Sequence, residues 1–397
     1  MADCCDNVPM PKHWKTKLIH SDVQVPEGYR SLTTPTYRGS TVLFPDASAV
    51  TDAWDQNEAG YTYGLYGTPT TLELAGRICE LEQGYRTIIA PGGQCAISLI
   101  NLALLKSGDH VLLPESIYGP NRKLANDVLR RFGAEVSFYP PTIGGSIARL
   151  IQPNTRLIWC ESPGSITMEI QDVPAIAEAA HKTEAIVVMD NTWSAGVYFD
   201  AFAHGVDVTM QALTKYVGGH SDVLLGSVTV RDHSIFRRLG ATQQLLGCGA
   251  SPDDCSLALR GMKTLAVRLE AIGSSARTIA RWLAARPEVE LVLHPALESC
   301  PGHEIWQRDF TGSTGVFAFV MQETTPKDRI LKFVNSLKLF KIGYSWGGVT
   351  SLAVAYDFTY YKDRPAYQHR IVRLNIGLEA TDDLLADLQQ AFQASAA

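Results

Sequence analysis

Between about residues 85 and 230, short apolar runs alternate with amphipathic segments, and this alternation narrows the possible folds more than any other feature of the chain. Residues 87–90, 111–113, 156–160, 186–190 and 224–230 have the length and apolar content of buried strands. Between them, 95–105, 121–132 and 173–181 carry apolar residues at helical spacing. Strand and helix in turn predict an α/β domain around a mostly parallel sheet, since parallel neighbours need a long crossover that is usually a helix. Ligands of such sheets sit beyond the carboxyl ends of strands, so the residues after each apolar run are where chemistry is expected.

The flanking regions read differently. Pro9, Pro11, Pro26, Pro35 and Pro45 interrupt any helix in the first 60 or so residues, which read as an extended arm. From Thr70 onward Leu72, Leu74, Ala75, Ile78 and Leu81 recur at helical spacing, and Gly84 is a stop signal. Residues 256–286 form a long helical pattern that could bridge to a second unit, and 287–397 mix strands such as 316–320 with helices such as 382–392. The expected organisation is an arm over 1–65, a large domain over 66–260 and a smaller C-terminal α/β domain over 261–397.

Composition excludes several classes. A chain of 397 residues with 46% hydrophobic and 19% charged residues is globular. With 35 Lys plus Arg against 41 Asp plus Glu, the net charge is −6 and no basic block exists to neutralise a row of phosphates, so nucleic acid is not an expected partner. Residues 1–17 have neither the apolar core of a signal peptide nor the Arg-rich character of a transit peptide. The longest apolar stretches fall far short of the roughly 20 residues of a membrane-spanning helix, so no membrane partner is expected. The 8 cysteines at irregular spacings suit reduced thiols in the cytoplasm. Neither His294, Cys300 and His303 nor Cys248 and Cys255 match a structural zinc pattern, and adjacent Cys4 and Cys5 read as exposed thiols, so no metal is expected.

Two residues stand where chemistry is expected. Asp190 ends the 186–190 run, a position equally suited to a cap or a solvated turn. Lys215 follows the apolar-rich stretch Ala212-Leu213-Thr214, and a lone lysine there is ordinarily a surface charge. Together they match the demand of a Schiff-base enzyme, in which an amine holds pyridoxal 5'-phosphate and an acid keeps the pyridine nitrogen protonated. Such a site also needs a phosphate cradle, and Gly92-Gly93-Gln94 precede a helical pattern whose free amides and dipole favour a dianion.

Pro91 to Ala96, Glu115 to Pro120, Glu161-Ser162-Pro163-Gly164-Ser165, Asp190 to Trp193, Thr214-Lys215-Tyr216, Gly343 to Gly348 and Arg373 to Glu379 together carry a wider likeness. In these stretches the chain resembles the Cys/Met-metabolism family of pyridoxal-phosphate enzymes along nearly its whole length. The resemblance implies the fold-type I, aspartate aminotransferase-like architecture of PLP-dependent transferases, with a mostly parallel large-domain sheet and a smaller C-terminal α/β domain. It implies that Lys215 carries the cofactor and acts as catalytic base, that Asp190 pairs with the pyridine nitrogen, and that Tyr118 stacks on the ring and takes part in catalysis. Thr214 and the Gly92-Gly93-Gln94 backbone would hold the phosphate, Arg373 the substrate carboxylate, and Ser345, Trp346 and Ser165 would line the substrate site. The family's Tyr63 equivalent reaches the phosphate of a neighbouring subunit, within a homotetramer built as a dimer of dimers.

Within the family, γ-acting relatives usually carry Asn-Pro where this chain has Gly164-Ser165, and Ser-Leu-Gly-Gly where it has Ser345-Trp346-Gly347-Gly348. Both departures resemble the β-acting members. The implied activity is carbon–sulfur β-cleavage of cystathionine or related cysteine S-conjugates to a thiol, pyruvate and ammonia. A γ-acting lyase or synthase, or a catalytically silent binding protein of the same fold, are the alternatives. One departure concerns the cofactor: the usual Tyr-x-Arg reads Tyr63-Gly64-Leu65 here, so the arginine is replaced by leucine.

Overall fold

The computed structural model describes residues 31–359 and 367–396; Cys4, Cys5 and residues 1–30 of the expected arm lie outside the described residues. The chain divides into two units, Met1–Pro35 and Thr36–Ala397. Of the first unit only residues 31–35 are described, and they form neither helix nor strand.

In the second unit, helix α1 (Pro69–Glu82) begins where Pro69 presets the helical φ and buries Leu74 and Ile78. A seven-stranded sheet follows: β1 (Arg86–Ala90), β2 (His110–Pro114), β3 (Glu135–Tyr139), β4 (Thr155–Glu161), β5 (Ile186–Asp190), β6 (Val208–Gln211) and β7 (Gly226–Val230), in the order β1-β7-β6-β5-β4-β2-β3. Neighbours from β3 to β6 are parallel, and only β7 runs antiparallel, to both β6 and β1. The sheet is therefore mostly parallel, as the alternation implied. Sequence pattern had not singled out β3, which is only partly buried along its length, or β6, which is only 4 residues long. Leu224 and Leu225 do not join β7: Leu224 is exposed, and the Leu225 amide donates to Thr214 Oγ1 at 3.1 Å.

Helices α2 (Gly93–Leu104) and α3 (Val173–Ala180) cover opposite faces of this sheet, packing into separate apolar clusters with Ile100 in one and Ile176 in the other. Residues 119–132 are helical throughout, although the turn loosens over Ala125–Leu129 and tightens over Arg130–Phe132. After α4 (His233–Leu246), the expected helix over 256–286 resolves into two: α5 (Pro252–Met262) and α6 (Leu265–Ala284). The break follows Gly261, whose carbonyl turns to accept from the Thr264 amide at 3.1 Å.

A second sheet of five strands comprises β8 (Val289–Leu293), β9 (Val316–Met321), β10 (Lys341–Ile342), β11 (Leu352–Tyr356) and β12 (Ile371–Asn375), in the order β10-β11-β12-β9-β8. All its pairings but β10 with β11 are antiparallel. Helix α6 packs on it together with α7 (Lys327–Ser336) and α8 (Thr381–Ala396), through a core in which the Phe333 and Phe392 rings lie 4.4 Å apart. Phe333 is fully buried, so Phe333→Ala should lower unfolding stability by about 3–5 kcal/mol through lost transfer energy and a residual cavity. Urea unfolding checks this, and a loss below about 1 kcal/mol would mean that Phe319 and Phe392 close the gap.

Candidate active site

Beyond the carboxyl ends of β4, β5 and β6 the chain encloses a cavity of about 520 Å³, which also reaches the β9 end of the second sheet at Val316. The cavity brings together Gly92, Gly93, Gln94, Tyr118, Ser165, Asp190, Thr214, Lys215, Ser345, Trp346 and Arg373, and leaves Tyr63 outside the lining of its own chain.

The register of β4 against β5 sets Glu161 beside Asp190 at the strand ends. Asp190 Oδ1 accepts from the Thr192 amide at 3.0 Å and from Thr192 Oγ1 at 2.5 Å, and Thr192 Oγ1 in turn accepts from the Ala212 amide at 2.9 Å. Both bonds fall on Oδ1, which leaves Oδ2 for a donor in the cavity. Burial raises the Asp190 pKa, while the Thr192 bonds and the Lys215 charge act the other way. A carboxylate that is to hold a proton on a ring nitrogen must itself be ionised, and the Thr192 bonds and the Lys215 charge favour that form against the effect of burial.

Lys215 sits in the turn that follows β6. Its amide donates to the Ala212 carbonyl at 3.0 Å, and its carbonyl accepts from the Gly219 amide at 2.7 Å. Its Nζ donates to Ser345 Oγ at 2.7 Å and lies 5.3 Å from the Trp346 ring centroid. Burial first, then the Arg373 charge, lower the Lys215 pKa to about 8, against an opposing pull from Asp190. Ser345 holds a left-handed backbone at φ 78°, uncommon outside glycine, and turns its carbonyl toward Arg373 Nη2 at 3.1 Å. Arg373, in the second sheet, is buried and lies 5.3 Å over the Tyr356 ring. Trp346 tilts against Tyr216 with ring centroids 5.3 Å apart, so it is wall and not merely core. Asn375 Oδ1 accepts from the Gly347 amide at 2.8 Å and fixes the turn that carries Ser345 and Trp346.

Tyr118 lies over the cavity mouth, 41% exposed, and its amide donates to Glu161 Oε2 at 2.6 Å. Burial, followed by the Asp190 and Glu161 charges, raises its phenol pKa.

The residues fit pyridoxal 5'-phosphate. Gly92, at φ 148°, caps α2 with no side chain to bond the first amides of that helix, which stay available to an anion. A Cβ on Gly226 would lie 2.5 Å from the Gly92 carbonyl oxygen, so β7 presses directly on the cradle. Thr214 Oγ1 donates to the Leu225 carbonyl and accepts from the Leu225 amide, each at 3.1 Å, so its single proton reaches a phosphate oxygen only by turning away from that carbonyl. The size of the cavity, a restrained carboxylate and an amine of lowered pKa complete the match.

Tyr63 instead packs edge-on to Tyr66 with centroids 6.1 Å apart and accepts from Gln56 Nε2 through its carbonyl at 2.9 Å. Leu65 lies against Gly249, where an added Cβ would come within 2.9 Å of it. Of the possible metal ligands, His303 Nδ1 lies 2.8 Å from the Pro295 carbonyl and the His294 ring accepts from the Ala296 amide. Among the described residues, no helix is long and apolar enough to cross a membrane.

Thr192, Glu161 and Asn375 had been read only as parts of longer motifs. Thr192 had a local signal, since an Asp followed two residues later by a hydroxyl residue forms an Asx-type turn. Glu161 and Asn375 act through contacts distant in sequence.

The sign of the Lys215 shift makes a prediction. A pKa near 8 means that the amine is largely ammonium below that pH and largely free above it. Amine labelling of the apoprotein, followed by peptide mapping, should give Lys215 a midpoint near 8, and Arg373→Met should raise it by removing a neighbouring cation. An unchanged midpoint in that variant would show that Arg373 does not act on Lys215.

Comparison with known proteins agrees with this geometry. The model of the family described as Cys/Met metabolism PLP-dependent enzyme matches residues 15–393. The chain is 42% identical to a Rhizobium johnstonii protein provisionally named a cystathionine beta-lyase, with 96% of each chain covered. It is 39% identical to cystathionine beta-lyase MetC of Escherichia coli, covering 89% of this chain and 92% of the relative. The crystal structure of metB from Corynebacterium glutamicum superposes with a TM-score of 0.84 at 30% identity, over 96% of this chain and 98% of the other. An alternating α/β sheet, a cradle, a carboxylate and an amine in one cavity, and a match over almost the full length have one explanation: the chain belongs to the Cys/Met metabolism family of PLP-dependent enzymes, with their fold-type I architecture.

Proposed function

We propose that the chain is a pyridoxal-phosphate-dependent carbon–sulfur β-lyase that converts L-cystathionine, or a related cysteine S-conjugate, to a thiol, pyruvate and ammonia. The observation that carries this reading is the placement of the Lys215 amine 2.7 Å from Ser345 and beside Trp346, in the turn whose backbone also meets Arg373. An amino acid held by its α-carboxylate on Arg373 presents its Cα hydrogen to that amine.

Pyridoxal phosphate, when bound, supplies the electron sink that makes a carbanion at Cα accessible. The chain's own residues do the rest. Arg373 clamps the α-carboxylate with a two-pronged donor, a geometry that guanidinium offers and ammonium does not. Asp190 Oδ2 holds a proton at the ring nitrogen. Lys215, with its lowered pKa, takes the proton from Cα as a general base. The electron pair left at Cα forms the Cα–Cβ double bond as the Cβ–S bond breaks with its pair leaving on sulfur. Lys215 returns or Tyr118 supplies a proton to that sulfur, and the released aminoacrylate tautomerises to an imine that water hydrolyses to pyruvate and ammonia. Trp346 and Ser165 narrow the space around Cβ and Sγ, which supports β- over γ-cleavage. The Gly92-Gly93-Gln94 amides and Thr214 hold the phosphate.

Tyr63, outside the cavity of its own chain, serves the cavity of a neighbouring copy, within a homotetramer of two dimers. The two sheets support a division into an arm over 1–65, a cofactor-binding domain over 66–260 and a C-terminal domain over 261–397. Free thiols at the described cysteines suit a cytoplasmic protein.

Keto-acid analysis tests the reading: cystathionine should give pyruvate, whereas 2-oxobutyrate would mean γ-cleavage and overturn it. Arg373→Lys should lower kcat/KM about ten- to a hundredfold through loss of the bidentate contact, with cofactor absorbance retained. Activity equal to the unsubstituted protein would remove Arg373 from the substrate site. Mixing Tyr63→Phe with Lys215→Ala protomers should restore activity in hybrids if cavities are shared. Hybrids no more active than either parent would confine the cavity to one chain.

A further inference from the structure

A guanidinium taken out of water is normally paired with a carboxylate, because an uncompensated buried charge is costly. Arg268, in the first turn of α6, departs from this. It is 4% exposed, and among the described residues its guanidinium meets only neutral oxygens. Nε donates to Thr264 Oγ1 at 3.0 Å, Nη1 to the Tyr216 carbonyl at 2.7 Å and Nη2 to the Gly261 carbonyl at 2.7 Å. Burial accordingly lowers its pKa.

The three acceptors are not a random set. Tyr216 follows Lys215 in the chain, while Gly261 and Thr264 bracket the break between α5 and α6. The Lys215 turn closes tightly around the guanidinium: a Cβ on Gly219 would lie 2.1 Å from Arg268 Nη1, and one on Gly261 would lie 2.2 Å from the Val217 carbonyl oxygen. At its other end, the Tyr216 hydroxyl accepts from the Gly315 amide at 2.9 Å, immediately before β9 of the second sheet. Tyr216 is thus held at its carbonyl by Arg268 and at its hydroxyl by the second sheet. Lys215 projects from that fixed segment toward Ser345.

We propose that Arg268 is a positioning residue for the Lys215 amine, its planar fork fixing the Lys215–Tyr216 backbone so that Nζ meets Ser345 Oγ beside Arg373. The inference rests on the reading of Lys215 as the reacting amine. A guanidinium suits the task because its donors diverge in one rigid plane and reach three acceptors on two segments, the Lys215 turn and the α5–α6 break, whereas an ammonium is a point donor on a flexible stem. The cost of burying the charge is accepted for geometry at the site, where a displacement of the reacting amine affects the rate more than binding.

Arg268→Lys and Arg268→Ala test the proposal. In each apoprotein, the Lys215 labelling midpoint, about 8 in the unsubstituted chain, should move up toward that of a solvated lysine as the turn loosens. In the loaded enzyme kcat should fall at least about tenfold with KM changed less than about threefold, because alignment and not substrate binding is lost. Millimolar guanidinium chloride should partly restore the Ala variant and leave the Lys variant unimproved. Folded variants with an unshifted midpoint and a kcat near that of the parent, differing only in melting temperature, would overturn the proposal. Failure of both variants to fold would overturn it as well, by assigning Arg268 to the stability of the chain. If the parent makes no pyruvate from cystathionine, the lyase reading fails by itself, and the Lys215 midpoints still decide the role of Arg268.

Discussion

Two cations, Lys215 and Arg373, face one partly desolvated cavity with Asp190 as the carboxylate acting on the amine. In water such proximity would be screened; here it bears on protonation. Burial of the amine first, and the neighbouring guanidinium second, lower the Lys215 pKa to about 8, since arginine does not give up its own proton. The chemistry of the site begins there. A lysine at its ordinary pKa would be an ammonium at neutral pH, neither a nucleophile nor a base.

That arrangement cannot be made by one sheet. Lys215 comes from the turn after β6 of the first sheet, Arg373 from β12 of the second, and Ser345 bonds to both residues from the loop between β10 and β11. The distance between the cations therefore depends on what locks the sheets together near the site. Tyr216, bonded through its hydroxyl to Gly315, is one tie, and Trp346 packed at a tilt against Tyr216 is another. Loosening either would let Lys215 and Arg373 separate, and the Lys215 pKa would rise with the distance. Packing and acid–base chemistry are in this sense the same variable.

The parts of the site legible in the sequence were those set by local rules. Asp190 stands at the end of an apolar run because parallel strands deliver ligand-facing groups there, and the alternation of runs with helical segments was enough to name the sheet. The strands that escaped were β3, whose Glu135-Val136-Ser137-Phe138-Tyr139 mixes polar and apolar residues with no continuous apolar run and is only partly buried, and β6, too short to show a period. The helix expected over 256–286 broke at Gly261 because its α5 end packs on the backbone of the Lys215 turn, a contact that crosses more than 40 residues of chain. Glu161 under the Tyr118 amide, Asn375 under the Gly347 amide and Arg268 under the Tyr216 carbonyl were hidden for the same reason. Each positions a residue that sequence had singled out, from a place that only the folded chain brings near.

The phosphate end of the cavity is built on a different principle from the amine end. Among the described residues the Lys or Arg side chains lining the cavity are Lys215 and Arg373, and Leu65 stands where the family resemblance implies an arginine. On the proposed placement, a dianion there would meet the backbone amides at the start of α2, which act as fixed partial charges. Fixed dipoles are effective only if they cannot turn away, and the cradle is held from behind. Gly226 of β7 leaves no room for a side chain against Gly92, and a Cβ on Gly93 would lie 2.7 Å from Ala212 Cβ. On that placement rigid backbone stands where a mobile charge would otherwise be, and the small residues at 93 and 226 are what let the cradle close.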